Sequence, residues 1–126
     1  MSHPQGLYSV AQVRAFDAHA IRAQGVPGYT LMQRAGEAAL RALRGRWPSA
    51  TRITIVCGGG NNGGDGYVIG RCARAAGLEV KLLAAADPDL LQGDARRAAD
   101  EFRASGGQVL AYSAAALEAG GVLVDA

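Results

Sequence analysis

The hydrophobic pattern in the first part of the chain predicts two helices. Residues 9–12 (SVAQ) form a capping box, in which Ser9 and the Gln three positions later satisfy free amides at the start of a helix. Apolar residues then recur at helical spacing, so we predict a helix over residues 9–24. A second capping box, residues 30–33 (TLMQ), predicts another helix over residues 30–46.

The rest of the chain alternates between short apolar segments and segments with helical spacing. The predicted strands span 52–57, 78–85, 109–112 and 122–125, and the predicted helices between them span 67–76, 92–104 and 113–119. Such alternation is typical of a parallel sheet joined by right-handed crossover helices. We therefore predict an α/β fold whose core begins at about residue 51, with the two leading helices on one face or edge of the sheet.

The last predicted strand stops almost at the C-terminus, where the sequence reads VLVDA over residues 122–126. A strand in a parallel sheet usually has both faces buried, and here no loop or helix follows to cover it. We therefore expect the chain to be the front part of a longer domain, truncated after its fourth strand.

Composition places the chain among ordinary globular proteins. It has 126 residues, of which 49% are hydrophobic and 19% charged, which suits one small domain. The net charge of +2 is small and the arginines are scattered, so we expect no nucleic-acid partner. We find neither a signal-peptide pattern nor an apolar run of membrane-spanning length, and we expect no membrane partner.

The two cysteines do not suggest a metal site or a disulfide. Cys57 ends an apolar run and Cys72 falls in a predicted helix, and their spacing is not that of metal ligands. We interpret both as reduced packing residues, which is consistent with a cytoplasmic protein.

A glycine-rich segment, VCGGGNNGGDG over residues 56–66, lies between the first core strand and the next helix. Gly58, Gly60 and Gly63 satisfy the G-x-G-x-x-G pattern of dinucleotide-binding loops, in which backbone amides and a helix N-terminus hold an anion. The alternative nucleotide-kinase loop needs a lysine where this chain has Asp65. The segment therefore indicates an anion site without a cationic side chain.

The polar residues of this segment have both structural and functional interpretations. Asn61 and Asn62 are compatible with a turn, and Asp65 with stabilisation of a helix N-terminus. As a block, two amide oxygens and a carboxylate favour binding of a hard cation or of a polar ligand. A generic NAD(P)-dependent oxidoreductase would need an acid after the second core strand, but Asp87 is explained by its turn with Pro88.

Four segments of the chain share their pattern with a known family. They are GxGNNGGDG at 58–66 followed by Arg71; Asp17 with AI at 20–21, GVP at 25–27 and LMxRAG at 31–36; QGDA at 92–95; and VDA at 124–126. In these segments the chain resembles the NAD(P)H-hydrate epimerases, also called the YjeF N-terminal domain. At position 33 it has Gln where many members have Glu, which a capping role tolerates.

The resemblance implies a fold, an activity and a set of site residues. The fold would be a Rossmann-like, three-layer α/β/α sandwich, and residues 1–126 would be the N-terminal part of the domain. The activity would be interconversion of the R and S epimers of hydrated NADH or NADPH, which carry a hydroxyl at C6 of the nicotinamide ring. Asp65 would be the catalytic acid/base or orienting residue. The residues lining the substrate site would be Asn61, Asn62, Gly63, Gly64 and Asp65, and Asn62 and Asp125 would bind potassium.

The resemblance also bears on partners and completeness. It implies a dinucleotide substrate, a homodimer and, as in many bacterial relatives, a fused C-terminal ADP-dependent dehydratase. Members of the family continue into a second glycine-rich phosphate loop and a later acidic motif, so this chain would lack part of the active site. The alternative that we keep open is a non-catalytic nucleotide- or protein-binding scaffold of the same fold.

Overall fold

The computed structural model describes residues 4–9, 28–117 and 121–126, and for residues 4–9, 61 and 62 it describes the backbone only. Its centre is a five-stranded sheet in the order β1-β5-β2-β3-β4. Every pair of neighbouring strands is parallel. The strands are β1 (Pro4–Ser9), β2 (Arg52–Cys57), β3 (Glu79–Ala84), β4 (Val109–Ala111) and β5 (Gly121–Asp125).

Three helices connect and cover the strands. They are α1 (Gly28–Arg46), α2 (Asn61–Ala75) and α3 (Gly93–Ala104), and short 3₁₀ turns occur at Pro88–Leu90 and Ala115–Leu117. Helix α2 packs between α1 and α3 and also lies against β2 and β3. The crossovers from β2 to β3 and from β3 to β4 run in the same direction across the sheet, so right-handed connections place α2 and α3 on the same face.

The core forms where this helical layer meets the sheet. Register pairs Ile55 of β2 with Leu82 of β3 and with Val124 of β5, and all three side chains are completely buried. From the helices, Tyr67 and Phe102 enter the same core, with ring centroids 6.1 Å apart. Burial of each such side chain contributes roughly 1.5–3 kcal/mol.

The α/β fold with a parallel sheet is confirmed, and strand β2 has the predicted bounds. Helix α2, however, begins at Asn61 rather than at Tyr67. The glycines of the segment disfavour a helix intrinsically, and tertiary packing overrides that preference. Helix α1 likewise begins at Gly28, so Thr30 lies inside the helix and the prediction that it is the N-cap was wrong.

Strand β1 was not predicted, so residues 122–125 belong to the fifth strand and not the fourth. Pro4 and Gly6 make this segment a poor strand former, but β1 is an edge strand, where proline is tolerated. The predicted helix over 113–119 is only the 3₁₀ turn Ala115–Leu117, and residues 118–120 lie outside the described part. The predicted helix over 9–24 also lies outside it after Ser9.

Two smaller expectations concern the cysteines and membranes. Cys57 and Cys72 are both unpaired, as predicted. Among the residues that the structure describes, no helix combines the length and the apolar character needed to cross a membrane.

Candidate functional site

The chain reverses its direction across the sheet next to strand β2. From β2 it proceeds outward to β3 and β4, and it then returns to form β5 on the other side of β2. In open α/β sheets, ligands bind at the carboxyl ends of the strands that flank such a switch point. Here those ends are joined by two backbone hydrogen bonds of 2.9 Å, from Gly58 N to Ala126 O and from Ala126 N to Val56 O. The glycine-rich segment and the end of β5 therefore form one candidate site.

Close packing explains Gly63 and Gly66 better than flexibility does. A Cβ added at Gly63 would lie 2.2 Å from the Gly58 carbonyl oxygen, and one at Gly66 would lie 2.7 Å from Cys57 Sγ. The first turns of α2 thus lie directly on the end of β2. Among the described residues, left-handed backbone occurs only at glycines outside the segment, namely Gly77, Gly93, Gly106 and Gly121.

The start of helix α2 supplies free backbone amides at this site. Its N-cap is Gly60, which has an extended backbone and no capping side chain. The amides of the first turn consequently have no intrahelical partner and can bind an anion. Asn61 and Asn62 form this first turn, so the turn interpretation of these residues is wrong. Their side chains lie outside the described part, and the predicted ligand role of Asn62 stays a prediction.

Asp65 occupies a different position from the one that a helix-capping role requires. It lies beyond the first turn of α2, so the interpretation as a stabiliser of the helix N-terminus is wrong. The residue is 0% exposed and has a partner within the protein. It does not line the cavities described below, and its catalytic role stays a prediction.

Asp125, in contrast, is exposed at the carboxyl end of β5. It lines a cavity of about 240 Å³ together with Val56, Tyr112, Leu117 and Leu123. This volume is below the roughly 300–1,000 Å³ of pockets for drug-sized ligands, and it suits a fragment such as a single ring. A carboxylate on an otherwise apolar wall can orient such a ring or stabilise a positive charge on it.

Sequence reasoning missed the contribution of residues 112–117 to this cavity. Tyr112 N donates a 3.0 Å hydrogen bond to Ala84 O, which extends the β3–β4 pairing and brings the following segment over the strand ends. The sequence signal that could have revealed this contribution is Tyr112, an aromatic residue at the end of a predicted strand. The residue after Val56, Cys57, is buried against the start of α2, and this burial raises the pKa of its thiol well above the ordinary value.

The donor set near the switch point suits a hard cation. Asp125 and the carbonyl groups at the ends of β2 and β5 offer oxygen atoms, which potassium, magnesium and calcium prefer over nitrogen or sulfur. Within residues 28–117 and 121–126, no group of three or more His, Cys, Asp or Glu side chains converges to hold a metal ion. Potassium binding by Asn62 and Asp125 therefore stays a prediction.

Comparisons with known proteins identify relatives over nearly the whole chain. Bifunctional NAD(P)H-hydrate repair enzyme Nnr of Coxiella burnetii is 44% identical over 120 residues, which are 95% of this chain and 24% of that protein. Its Escherichia coli namesake is 37% identical over 126 residues, 100% of this chain and 24% of that protein. NAD(P)H-hydrate epimerase of Rhodopirellula baltica is 37% identical over 118 residues, 90% of this chain and 48% of that protein.

The chain thus spans about a quarter of the bifunctional relatives and about half of the epimerase relative. Residues 28–126 also match the family model described as YjeF-related protein N-terminus. These residues include all three described helices and every strand except β1. The chain therefore belongs to the family of YjeF-related protein N-termini.

Proposed function

We propose that residues 1–126 are the N-terminal part of an NAD(P)H-hydrate epimerase domain, which interconverts the R and S epimers of hydrated NADH and NADPH. One observation carries this proposal. The NNGGDG block begins helix α2 at the switch point of the sheet, in a chain that is 37–44% identical to proteins named for this activity or for a bifunctional repair activity.

The geometry suggests how the dinucleotide would bind. Free amides at the start of α2 would hold a phosphate, and the residues Asn61, Asn62, Gly63 and Gly64 would line that part of the site. The cavity beside Asp125 would take the hydrated nicotinamide ring, because its size and apolar wall suit one ring. Val56, Leu123 and Tyr112 would limit access of bulk water to the ring.

The chemistry that we propose is reversible loss of water at C6. The C6–O bond breaks, the hydroxyl leaves as water after gaining a proton, and the ring becomes cationic. Water then adds to the opposite face and releases that proton. Asp125 is assigned to the potassium ion below, so other polar groups of the site would stabilise the positive charge of the ring. Asp65 remains our proposed acid/base or orienting residue, and its burial favours the orienting role, since a group outside the cavity does not touch the ring.

Potassium would be held by oxygen atoms of Asn62 and Asp125, which fits the donor types at the switch point. When bound, the ion would supply a fixed positive charge that orients an oxygen of the substrate. On the length of the relatives, we also propose that a complete enzyme contains further chain after Ala126, in some proteins a fused dehydratase. A homodimer and a cytoplasmic location complete the proposal.

The test is an epimerisation assay in potassium buffer with a single purified epimer of hydrated NADH and, separately, of hydrated NADPH. The epimer ratio is followed by chromatography, for this chain and for a version extended to the length of the epimerase relatives. We expect acceleration over the spontaneous rate, at least for the extended chain. Asp125→Asn should lower the rate, and Asp65→Asn should lower it by at least about 100-fold if Asp65 is the acid/base.

Asp100→Asn is the matched control, since it removes an exposed carboxylate on α3 that pairs with Arg96. It should leave the rate unchanged. If neither this chain nor the extended version accelerates epimerisation, but both bind the dinucleotide or a protein partner, the non-catalytic scaffold becomes the better description.

A further inference from the structure

A larger cleft lies beside the candidate site, between β3 and β4. It has a volume of about 630 Å³, within the range of ligand pockets, and its walls come from the end of β3, the Pro88–Leu90 turn, α3 and β4. We call it the β3–β4 cleft. The residues that line it include Ala84, Ala86, Asp87, Arg103, Leu110 and Ala111.

The β3–β4 cleft begins where the glycine-rich segment ends. A Cβ added at Gly59 would lie 3.3 Å from the Cβ of Ala86, a residue of the cleft wall. The amide of Ala85 donates a 2.9 Å hydrogen bond to Cys57 O, which fixes the two loops side by side. A ligand whose phosphate lies at the start of α2 can therefore extend along this surface into the cleft.

The charged side chains of the cleft are two carboxylates and one guanidinium. Asp87 is exposed, and its Oδ1 accepts a 2.9 Å hydrogen bond from Asp89 N, which leaves Oδ2 for a ligand. Arg103 Nη1 donates to Asp89 Oδ1 at 2.9 Å, so Asp89 balances the charge of this guanidinium. Two carboxylates against one paired guanidinium favour a ligand that donates hydrogen bonds over one that brings a further negative charge. Nearby, Arg96 Nη1 donates to the Asp89 carbonyl oxygen, and the same guanidinium forms an ion pair with Asp100.

The apolar part of the cleft complements this polar edge. Ala84, Ala86, Leu110 and Ala111 provide an apolar wall against which an aromatic base can pack. An acid that follows the strand after the glycine-rich loop is also the position that bonds ribose hydroxyls in dinucleotide-binding folds. The turn with Pro88 explained Asp87 in the sequence, but that turn uses only one of its two carboxylate oxygens.

We infer that the β3–β4 cleft binds the adenosine end of the dinucleotide with a free ribose 2′-hydroxyl, and that Asp87 accepts a hydrogen bond from the ribose. This inference rests on the proposed function, since it takes the substrate to be a hydrated dinucleotide. A 2′-phosphate would be brought against the Asp87 and Asp89 carboxylates, and the described residues of the cleft include no cation besides Arg103, whose charge Asp89 balances. The chain therefore prefers NADH hydrate to NADPH hydrate.

The experiment measures binding of two adenosine probes by calorimetry at fixed ionic strength, independently of any turnover. The probes are adenosine 5′-monophosphate and adenosine 2′,5′-bisphosphate. We expect the monophosphate to bind at least about tenfold more tightly, because like charges across an interface are unfavourable. Asp87→Asn should reduce this ratio severalfold, and it keeps an oxygen that can accept the bond from Asp89 N.

Two further variants make the result interpretable. Glu79→Gln removes the same charge at the opposite end of β3, where Glu79 pairs with Arg52, and should leave the ratio unchanged. Ala111→Leu narrows the cleft from an exposed position at the end of β4 and should weaken both probes. Thermal unfolding of each variant verifies that it is folded.

The outcomes separate this inference from the proposed function. Equal affinities for the two probes, no binding of either, or a ratio unaffected by Asp87→Asn would overturn the inference, even if epimerisation were observed. Selective binding that depends on Asp87 and Ala111 would support it, even if epimerisation were absent and the proposed function failed.

Discussion

Gly63 shows at the scale of one residue why the segment is rich in glycine. A Cβ at this position would lie 2.2 Å from the carbonyl oxygen of Gly58, and a backbone atom cannot rotate away as a flexible side chain can. We expect Gly63→Ala to displace α2 from the end of β2 and to lower the free energy of unfolding by at least about 1–3 kcal/mol. Urea denaturation measures this difference.

The same segment contains a matched control. A Cβ at Gly60 would have no neighbouring atom within 4 Å among the described residues, and the backbone of Gly60 is extended, with φ −99° and ψ −169°. Gly60→Ala should therefore change the free energy of unfolding by no more than about 1 kcal/mol, the typical cost at an N-cap. Equal effects of the two substitutions would contradict the account of Gly63 as a close-packing position.

At the scale of elements, a hydrogen bond joins Tyr29 of α1 to Glu101 of α3. The Tyr29 hydroxyl donates to Glu101 Oε2, and the Arg97 guanidinium lies 3.9 Å from the centre of the tyrosine ring. Burial and then the bond to Glu101 raise the pKa of Tyr29 to about 12. The folded protein thus favours the neutral phenol relative to the unfolded chain, whose tyrosine pKa is about 10.

This contact should make stability depend on alkaline pH. Since the folded pKa is raised, the contribution of Tyr29 is fully present below about pH 10 and is lost as the pH rises towards about 12. We expect the free energy of unfolding of Tyr29→Phe to fall less steeply over this range than that of the unsubstituted chain. Glu101→Gln should make the fall smaller and end it at lower pH, because the folded pKa of Tyr29 is then raised less. Identical slopes for all three chains would contradict this account.

The elements also show what the sequence could predict. Strand β2 could be placed to the residue, because a β-branched apolar run such as RITIVC has few alternatives. The start of α2 could not, since Gly63, Gly64 and Gly66 each disfavour a helix by about 1 kcal/mol and only contacts with distant residues offset this cost.

The sequence could likewise predict some features of the candidate site and not others. The place of Asp125 at the end of a strand could be predicted from the pattern of the chain, whereas the burial of Asp65 could not. A helical residue is buried or exposed according to which elements pack around it, and a local pattern rich in glycine carries little of that information. The Asp125 cavity likewise depends on the strand order, which brings Tyr112 and Leu117 beside β5.

At the scale of the whole molecule, strand order decides whether the site has a rigid frame. Strand β5 lies between β1 and β2, and Ser9 pairs with Asp125 in the parallel register. The backbone that carries Asp125 is therefore bonded on both sides, by an N-terminal segment and by the strand that leads into the glycine-rich segment. The first residues of the chain thereby support a residue at its far end.

Deletion of residues 1–9 tests this support. The deletion removes the β1–β5 pairing and turns β5 into an edge strand, while β2–β3 pairing is retained. We expect amide hydrogen exchange over Val122–Asp125 to accelerate by at least about tenfold, because backbone bonds at a sheet edge open more readily than internal ones. The peptide containing Arg52–Cys57 is the internal reference and should change much less. Unchanged protection of Val122–Asp125 would mean that β2 alone holds β5, and that the end of the strand bearing Asp125 is fixed without the N-terminal segment.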